Sequence, residues 1–359
     1  NGSTEIDSSE FYNNNSRTLG GAIAGSAIIS NSSFIKNKSG FNETDNQYYY
    51  GNSEAGAILL TSGYINNCQF LSNSSAERGG ALVLGGGSIN NCVFIDNVSN
   101  KVSSTSHGGG AIYAVGNGID IMNSKFISNR VLHGSGNAIF QYDHNGSIDG
   151  CEFINNFSEN GGSTINSRYG SEFSLTNSTF FNTTLQSNTK SMDIDANSSS
   201  SLSNLNFIGN NYAITFDNNI DWINATNNYW GDTSGPYHPT QNPTGQGDSV
   251  NAFVNVDPWL TTPNTDAPPI PAQNTTVTGT GNDFISLNWD VSLIGDLAGY
   301  KLYYDSDSSG YPYANSVDIG TDTSYTLSSL TLGTTYYLAV TTYDTDGNES
   351  WYSNEVSGV

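Results

Sequence analysis

The chain has 359 residues, with 10 lysines and arginines against 33 aspartates and glutamates and a formal net charge of −23. This balance excludes nucleic acids and anionic membrane surfaces as partners, because both are bound through clustered cations. Neutral glycans, cations and other proteins remain candidate partners. No run of 18 apolar residues is present, so the sequence predicts no membrane span.

The segment that begins at Asn1 lacks the charged and apolar regions of a secretory leader. Asn1 is therefore expected to be either a naturally processed end or a trimmed one. The length allows two domains, each with a core of its own.

A repeated pattern begins at Phe11 and continues to about Leu260. For example, Ile65-Asn-Asn-Cys-Gln-Phe70-Leu-Ser-Asn73 recurs as Ile89-Asn-Asn-Cys-Val-Phe94-Ile-Asp-Asn97. Successive repeat phenylalanines are 23 to 36 residues apart, and most steps are 24 to 27. Units of this length, with alternating residues between Gly and Asn turns, predict about eight stacked β-coils. The repeat phenylalanines are Phe11, Phe34, Phe70, Phe94, Phe126, Phe153, Phe180 and Phe207.

Stacked coils align equivalent side chains, because each strand pairs in parallel with its neighbour at about 4.8 Å. We expect the phenylalanines and the Ile or Leu of each repeat to fill the interior. Asparagines are expected at two turn positions. At the first, Asn tolerates the left-handed backbone angle and its amide can bond to the Asn above and below, and the second is expected to form another ladder. The first position contains Asn31, Asn67, Asn91, Asn123, Asn177 and Asn204, and the second contains Asn37, Asn73, Asn97, Asn129, Asn156 and Asn210.

The three cysteines lie two residues before a repeat phenylalanine. Strand alternation directs Cys68, Cys92 and Cys151 inward, which predicts small buried residues. A disulfide between Cys68 and Cys92 is an alternative, although directly stacked parallel neighbours rarely meet disulfide geometry. Metal binding is a further alternative.

The combination of Gly109-Gly-Ala-Ile112 and its copies with Phe-x-x-Asn resembles bacterial right-handed parallel β-helix proteins. These include polymorphic outer-membrane adhesins and the pectate-lyase-like superfamily. The resemblance covers residues 8–260 and implies an all-β fold, in which residues 1–260 form a right-handed parallel β-helix solenoid with a C-terminal plug. It implies no single activity, since the fold hosts lyases, hydrolases, epimerases, adhesins and structural proteins.

The end of the repeats, residues 227–260, is similar to the terminal segment of secreted bacterial β-helix proteins. The resemblance implies that Tyr229, Trp230 and Trp259 cover the last coil, which would otherwise expose apolar side chains and strand edges. His238 lies in the same segment, and a structural role is expected for it rather than catalysis.

Residues 261–273 are predicted to be a proline-rich linker, and residues 274–359 contain about seven short strand patterns. Trp289 is expected in the core of this second domain. The pattern Leu-x-x-Gly-x-x-Tyr that ends at Tyr336 resembles the corner of fibronectin type III domains. The resemblance implies a β-sandwich that serves as a spacer or binding module.

Carboxylates near residue 195 are the candidate catalytic or calcium-binding groups. Asp193 and Asp195 place two carboxyl groups on one strand face, and Asp217 or Asp221 is expected one coil away. Glycoside hydrolysis requires two carboxyl groups about 5 to 9.5 Å apart. A solvated strand face is the alternative. The basic residues, among them Arg168 and Lys190, are predicted to be scattered away from any acidic cluster. No cofactor is expected, and calcium is the cation that these carboxylates would take.

A run of tyrosines is the candidate ligand-binding segment. Tyr48, Tyr49 and Tyr50 lie in an insertion between Asn37 and Ala55, and such insertions often bind partners on one face of a repeat protein. These tyrosines are candidates for glycan binding. A loop that the tyrosines merely anchor is the alternative.

Three functions follow from these patterns. The cation-poor polar surface and the lack of a catalytic cluster favour an extracellular structural or adhesive protein, secreted or at the cell surface. An open first coil would stack on another subunit, and head-to-tail contacts that do not close produce filaments. The second hypothesis is a polysaccharide lyase, glycoside hydrolase or epimerase, and the third is passive glycan binding. Enzymatic activity is not the favoured expectation.

Overall fold

The computed structural model describes residues 4–42, 44, 46–51, 53–100, 108–158, 161–182, 190–195, 199–217 and 221–359. These residues contain β-strands and no helix, which confirms the predicted all-β class. No helix within these ranges is therefore long and apolar enough to cross a membrane. The chain divides after Ala267 into two compact units, within the segment predicted as a linker.

The strands of the first unit are short, as the frequent Gly and Asn turns require. They are β1 (Thr4–Asp7), β2 (Glu10–Tyr12), β3 (Asn15–Ser16), β4 (Ile23–Ser30), β5 (Ser33–Ile35), β6 (Lys38–Ser39), β7 (Phe41–Asn42), β8 (Gln47–Tyr48), β9 (Ile58–Asn66), β10 (Gln69–Leu71), β11 (Ser74–Ser75), β12 (Leu82–Leu84), β13 (Gly87–Asn90), β14 (Val93–Ile95), β15 (Val98–Ser99), β16 (Ile112–Met122), β17 (Lys125–Ile127), β18 (Arg130–Val131), β19 (Ile139–Asp149), β20 (Glu152–Ile154), β21 (Phe157–Ser158), β22 (Ser163–Arg168), β23 (Glu172–Thr176), β24 (Thr179–Phe181), β25 (Lys190–Asp195), β26 (Ser199–Ser203), β27 (Asn206–Ile208), β28 (Tyr212–Asp217), β29 (Ile223–Asn224), β30 (Ser249–Val250) and β31 (Val254–Asn255).

Successive repeats pair in parallel, and equivalent residues lie side by side. The largest sheet contains the path β1-β4-β9-β12-β16-β19-β22-β25-β28-β30. A second sheet has the order β2-β5-β10-β14-β17-β20-β24-β27, and a third has the order β21-β18-β15-β11-β6-β3. In the second sheet, Phe70 pairs with Phe34 on one side and with Phe94 on the other. The strands β7 and β8 form a separate antiparallel hairpin.

The repeat phenylalanines form one continuous column of rings. From Phe11 to Phe207, consecutive ring centroids lie 4.6 to 5.1 Å apart, close to the separation of paired strands. Trp230 continues the column, with its ring 5.0 Å from that of Phe207. The buried members are Phe34, Phe70, Phe94, Phe126, Phe153, Phe180, Phe207 and Trp230.

A column of buried asparagines lies three residues after the phenylalanines from Phe34 to Phe153 and again after Phe207. The backbone N–H and Nδ2 of Asn73 both donate to Oδ1 of Asn97 at 3.0 Å, and Nδ2 also donates to the Phe34 carbonyl at 2.8 Å. Equivalent bonds join the pairs Asn37–Asn73, Asn97–Asn129 and Asn129–Asn156. Buried amides are expensive without partners, so these bonds favour one register between repeats.

The other asparagine position has left-handed backbone angles, with φ from 45° to 59°. The side-chain amides at this position do not form a regular ladder of hydrogen bonds from one repeat to the next. Asn67 donates to Asn31 at 2.7 Å, whereas Asn123 donates to the neighbouring Asn90 and not to Asn91. The members are Asn31, Asn67, Asn91, Asn123, Asn177 and Asn204. Exposure explains the irregularity, since water can satisfy these amides.

The three cysteines are buried free thiols, so the disulfide alternative is wrong. The backbone N–H of Cys68 donates to Sγ of Cys92 at 3.4 Å. Burial raises the pKa of the Cys151 thiol to about 12, which keeps this thiol protonated at neutral pH.

Aromatic residues pack at the C-terminal end of the first unit. Tyr229 and Trp230 are buried, and the partly buried Trp259 packs against the same core. His238 is engaged in a turn, because its Nδ1 accepts the backbone N–H of Thr240 at 3.1 Å and that of Gln241 at 2.9 Å.

The second unit contains two antiparallel sheets. Its strands are β32 (Thr276–Thr280), β33 (Phe284–Asn288), β34 (Leu297–Asp305), β35 (Asn315–Gly320), β36 (Ser324–Ser328), β37 (Tyr336–Asp344) and β38 (Val356–Gly358). The sheet orders are β32-β33-β36 and β35-β34-β37-β38. Trp289 is buried in the core between them, 5.5 Å from the ring of Tyr300. The hydroxyl of Tyr336 accepts the N–H of Thr331 at 3.2 Å, which is the tyrosine-corner contact.

An aspartate ends the buried asparagine column. The backbone N–H and Nδ2 of Asn210 donate to Oδ2 of Asp248 at 3.0 and 2.7 Å. Burial raises the pKa of Asp248 to about 7, although the bonds from Asn210 oppose this shift. The folded chain therefore binds an extra proton between the unfolded pKa near 4 and the folded pKa near 7, and its stability falls as the pH rises through this window.

Replacement of Asp248 by asparagine, the residue found along the column, should remove this dependence of stability on pH. We expect Asp248→Asn to raise the free energy of unfolding by about 1 to 3 kcal/mol at pH 8, because the amide keeps an acceptor for Asn210 without a buried charge. At pH 4 the two chains should unfold alike. Thermal unfolding from pH 4 to pH 8 measures the difference, with the exposed Asp266→Asn as control. Parallel pH profiles for wild type and Asp248→Asn would contradict the assignment.

Candidate functional site

The outer face of the largest sheet carries the candidate carboxylates. In β25, Met192 and Ile194 point into the core, and Asp193 and Asp195 alternate with them on the opposite, partly exposed face. In-register pairing places Asp217 directly beside Asp195 on the neighbouring strand β28. The structure thus brings the three predicted aspartates together on one surface.

Asp193 is the most constrained of the three. Its Oδ2 accepts a hydrogen bond from Arg168 Nη2 at 2.6 Å, and Lys190 Nζ lies 3.7 Å from Oδ1. The hydroxyl of Thr215 donates to Oδ1 at 2.7 Å. The prediction that the basic residues lie away from acidic groups is wrong here, because strand pairing brings Arg168 beside Asp193 from the preceding repeat. Both oxygens of Asp193 are therefore occupied and its charge is balanced.

Asp195 holds a tyrosine in an uncommon backbone conformation. Its Oδ2 accepts the N–H of Tyr169 at 2.7 Å, and Tyr169 has φ of 62°. Bulky residues rarely adopt this left-handed region unless their surroundings enforce it, and such strain concentrates at functional sites. The Tyr169 side chain is 48% exposed, and its ring centroid lies 4.5 Å from that of Tyr142.

An aromatic row continues from this tyrosine pair toward the earlier repeats. Tyr142 lies 6.5 Å from Tyr113, and Tyr113 stacks on Phe140 at 5.5 Å. The guanidinium of Arg78 lies 5.2 Å from the centre of the Tyr113 ring. Because Tyr113 and Phe140 are buried, Tyr142 and Tyr169 are the rings of this row that a ligand can reach.

Tyr142 and Tyr169 present ring faces beside the carboxylates of β25 and β28. These groups do not resemble a metal centre. Among the described residues, no group of three or more His, Cys, Asp or Glu side chains is arranged to hold a metal ion. Asp195 and Asp217 provide acceptors at the edge of the tyrosine pair. The site can therefore contact both an apolar ring face and hydroxyl groups of a ligand.

The three tyrosines of the predicted ligand-binding segment have different environments. Tyr48 lies in the β7–β8 hairpin, with its ring 5.0 Å from Phe41 and its hydroxyl bonded to the hydroxyl of Ser74. It anchors the hairpin, whereas Tyr49 and Tyr50 are 53% and 48% exposed. A cavity of about 320 Å³ beside the hairpin is lined by Arg17, Gly40, Phe41, Asn42 and Tyr49.

Sequence reasoning missed Arg168 and the tyrosine pair. Their spacing of 27 residues is that of Phe126 and Phe153, which places the two tyrosines in neighbouring repeats. The strand register there pairs Tyr142 with Arg168, so the spacing alone does not predict that the two rings meet. The left-handed angle of Tyr169 had no sequence signal, since Asn and Gly are the usual residues there.

The strain at Tyr169 can be measured directly. We expect Tyr169→Gly to be more stable than Tyr169→Ala by about 1 kcal/mol, because glycine adopts φ of 62° without steric cost. Both variants lose the same ring contacts, so the difference reports the backbone. Thermal or urea unfolding of the two variants measures it. Equal stability of the glycine and alanine variants would show that the backbone there is relaxed.

Comparison with known proteins identifies the second unit. Residues 268–359 match the family model of the fibronectin type III domain, so the C-terminal unit is such a domain, as predicted. None of the curated proteins compared with the chain matches it.

Solved structures resemble the chain over about a quarter of its length. The fibronectin type III domain of human fibronectin type III domain containing protein 3 is 26% identical, covers 26% of this chain and 85% of its own, and gives a TM-score of 0.22. An Fn3-like protein from Clostridium thermocellum is 23% identical, with coverages of 25% and 92% and a TM-score of 0.23. The family model, and not these likenesses, supports the assignment.

Proposed function

We propose that the first unit is a right-handed parallel β-helix and that the chain is an extracellular adhesive protein of a cell surface. Parallel, in-register pairing across three sheets and the unbroken column of phenylalanine rings support the β-helix. The fibronectin type III domain and the cation-poor composition support an extracellular location. Filament formation by end-to-end contacts stays a prediction of the sequence.

The partly buried Tyr142 and the exposed Tyr169 form the tyrosine pair that carries the adhesive part of the proposal. Asp195 binds the backbone N–H of Tyr169 in its left-handed conformation, so the backbone from which the ring projects is held before any ligand arrives. Preorganised tyrosines give large contact areas at low entropic cost. The ligand that best fits ring faces beside carboxylate acceptors on an acidic chain is a neutral glycan.

Hydrolysis of a glycan is the second candidate function. Asp195 and Asp217 are direct neighbours on parallel strands, which are about 4.8 Å apart. Retaining glycosidases place their two carboxyl groups about 5 to 5.5 Å apart. Against this function, Asp193 accepts hydrogen bonds from Arg168 and Thr215 and is paired with Lys190, and Asp195 already accepts the backbone N–H of Tyr169.

Binding of the labelled full chain to an array of neutral and acidic glycans tests the proposal. We expect binding to neutral glycans and a loss of about tenfold or more for Tyr169→Ala, which corresponds to about 1.4 kcal/mol. Tyr64→Ala removes a tyrosine that is 60% exposed on another repeat, and this control should bind as the wild type does.

Release of sugar products from the bound glycans separates adhesion from catalysis. We expect no product with the wild type. Turnover that Asp195→Asn or Asp217→Asn abolishes would replace the adhesive function by hydrolysis or a lyase reaction. Equal binding by wild type and Tyr169→Ala would remove the tyrosine pair from the binding site.

A further inference from the structure

The fibronectin type III domain carries a second aromatic surface, distinct from the tyrosine pair of the first unit. In β34, Tyr300, Leu302 and Tyr304 pack toward the core, so Tyr303 lies on the outer face of its sheet. Tyr352 stands at the centre of this surface, with four ring centroids within 4.9 to 6.0 Å. The aromatic platform consists of Tyr303, Tyr311, Tyr313, Trp351 and Tyr352, and all five are partly exposed.

Hydrogen bonds hold the platform in one arrangement. Oε2 of Glu355 accepts the Tyr313 hydroxyl and the Gly310 N–H, each at 2.6 Å. Glu349 accepts the Tyr303 hydroxyl at 2.8 Å and an ammonium hydrogen of Lys301 at 2.6 Å. The loop between β34 and β35 is thereby tied to the last strand and its flank. A surface fixed in this way loses little entropy when it binds a ligand.

Charge decides which ligands can approach the platform. Residues 268–359 contain eleven aspartates and glutamates and a single lysine, Lys301. This lysine is paired with Glu349. Polyanions such as acidic polysaccharides are repelled by such a domain, whereas a neutral polymer meets no charge penalty.

Proline-rich peptides also bind aromatic surfaces. The hydrogen-bond donors and acceptors of the platform favour a sugar over such a peptide. The hydroxyls of Tyr303 and Tyr313 already donate to glutamates. Both bonds to Glu355 end on Oε2, which leaves Oε1 of this exposed residue as an acceptor. A sugar offers hydroxyl donors to such an acceptor, whereas a proline-rich chain offers mainly carbonyl acceptors.

We propose that the aromatic platform of the fibronectin type III domain binds a neutral polysaccharide, with the C–H faces of pyranose rings packed on Trp351 and Tyr311 and sugar hydroxyls bonded to Glu355. The platform gives the chain a glycan contact of its own in the second unit. It does not depend on the binding proposed for Tyr142 and Tyr169.

Affinity electrophoresis of the full chain tests this site, in native gels that contain β-glucan, xylan, mannan, galactomannan or polygalacturonate. We expect retardation in at least one neutral gel and none in polygalacturonate. The comparison is made in the Tyr169→Ala chain, in which the site proposed for the first unit is removed. In that chain, Trp351→Ala should weaken the retardation about tenfold, as loss of a stacking anchor does. Trp222→Ala is the matched control, because it removes a tryptophan that is 51% exposed in the first unit. It should migrate as the wild type does.

Thermal unfolding of each variant shows whether the domain remains folded. If Trp351→Ala unfolds it, Tyr311→Ser decides the question, since Tyr311 lies on a loop and contributes a ring to the same platform. In Tyr169→Ala, the Trp351-dependent retardation should persist, which separates this site from that of the first unit. Four results would overturn the proposal. They are unchanged retardation when Trp351→Ala is added to the folded Tyr169→Ala chain, migration without delay in every neutral gel, retardation by polygalacturonate alone, and displacement of the chain from the neutral gel by poly-L-proline.

Discussion

The structure of the first unit depends on a buried asparagine that donates two hydrogen bonds to the asparagine of the next repeat. From Asn37 to Asn129, each amide also donates to the carbonyl of a phenylalanine in the preceding repeat, so three successive repeats are joined at each of these steps. A shift of one residue would leave these buried amides without partners and turn the phenylalanine rings out of the interior. The asparagine column and the phenylalanine column therefore favour the same register, one through polar groups and the other through apolar contact.

This register determines what the outer face can present. Insertions such as the β7–β8 hairpin leave it undisturbed, because Phe34 and Phe70 pair although 36 residues separate them. Outward side chains at matching positions then lie side by side, as Asp195 and Asp217 do. Tyr142 and Tyr169 also meet from neighbouring repeats, although Tyr142 pairs with Arg168 and Tyr169 lies just beyond the end of β22. The register of the interior thus determines which outward side chains are neighbours. A binding face can therefore arise by substitution of outward residues alone.

The interior could be predicted from the sequence, and the surface chemistry could not. Phe94 and Asn97 recur at recognisable intervals, because burial permits few alternatives at these positions. The partnership of Arg168 with Asp193 depends on the rotamer of a long side chain and on the neighbouring strand, neither of which has a periodic signal. The first asparagine position has the expected left-handed angle, but exposed amides there, such as that of Asn123, bind other partners. In the second unit, the corner at Tyr336 was recognisable, whereas the aromatic platform required the fold of a loop.

Hydrogen exchange at individual amides tests the central role of the buried asparagine column. The backbone N–H groups of Asn73, Asn97 and Asn129 each donate to the side-chain oxygen of the next asparagine. Their exchange, followed by NMR, should be among the slowest in the first unit, because it requires separation of neighbouring repeats. Exchange at these three amides as fast as at solvent-exposed turn amides would contradict the account.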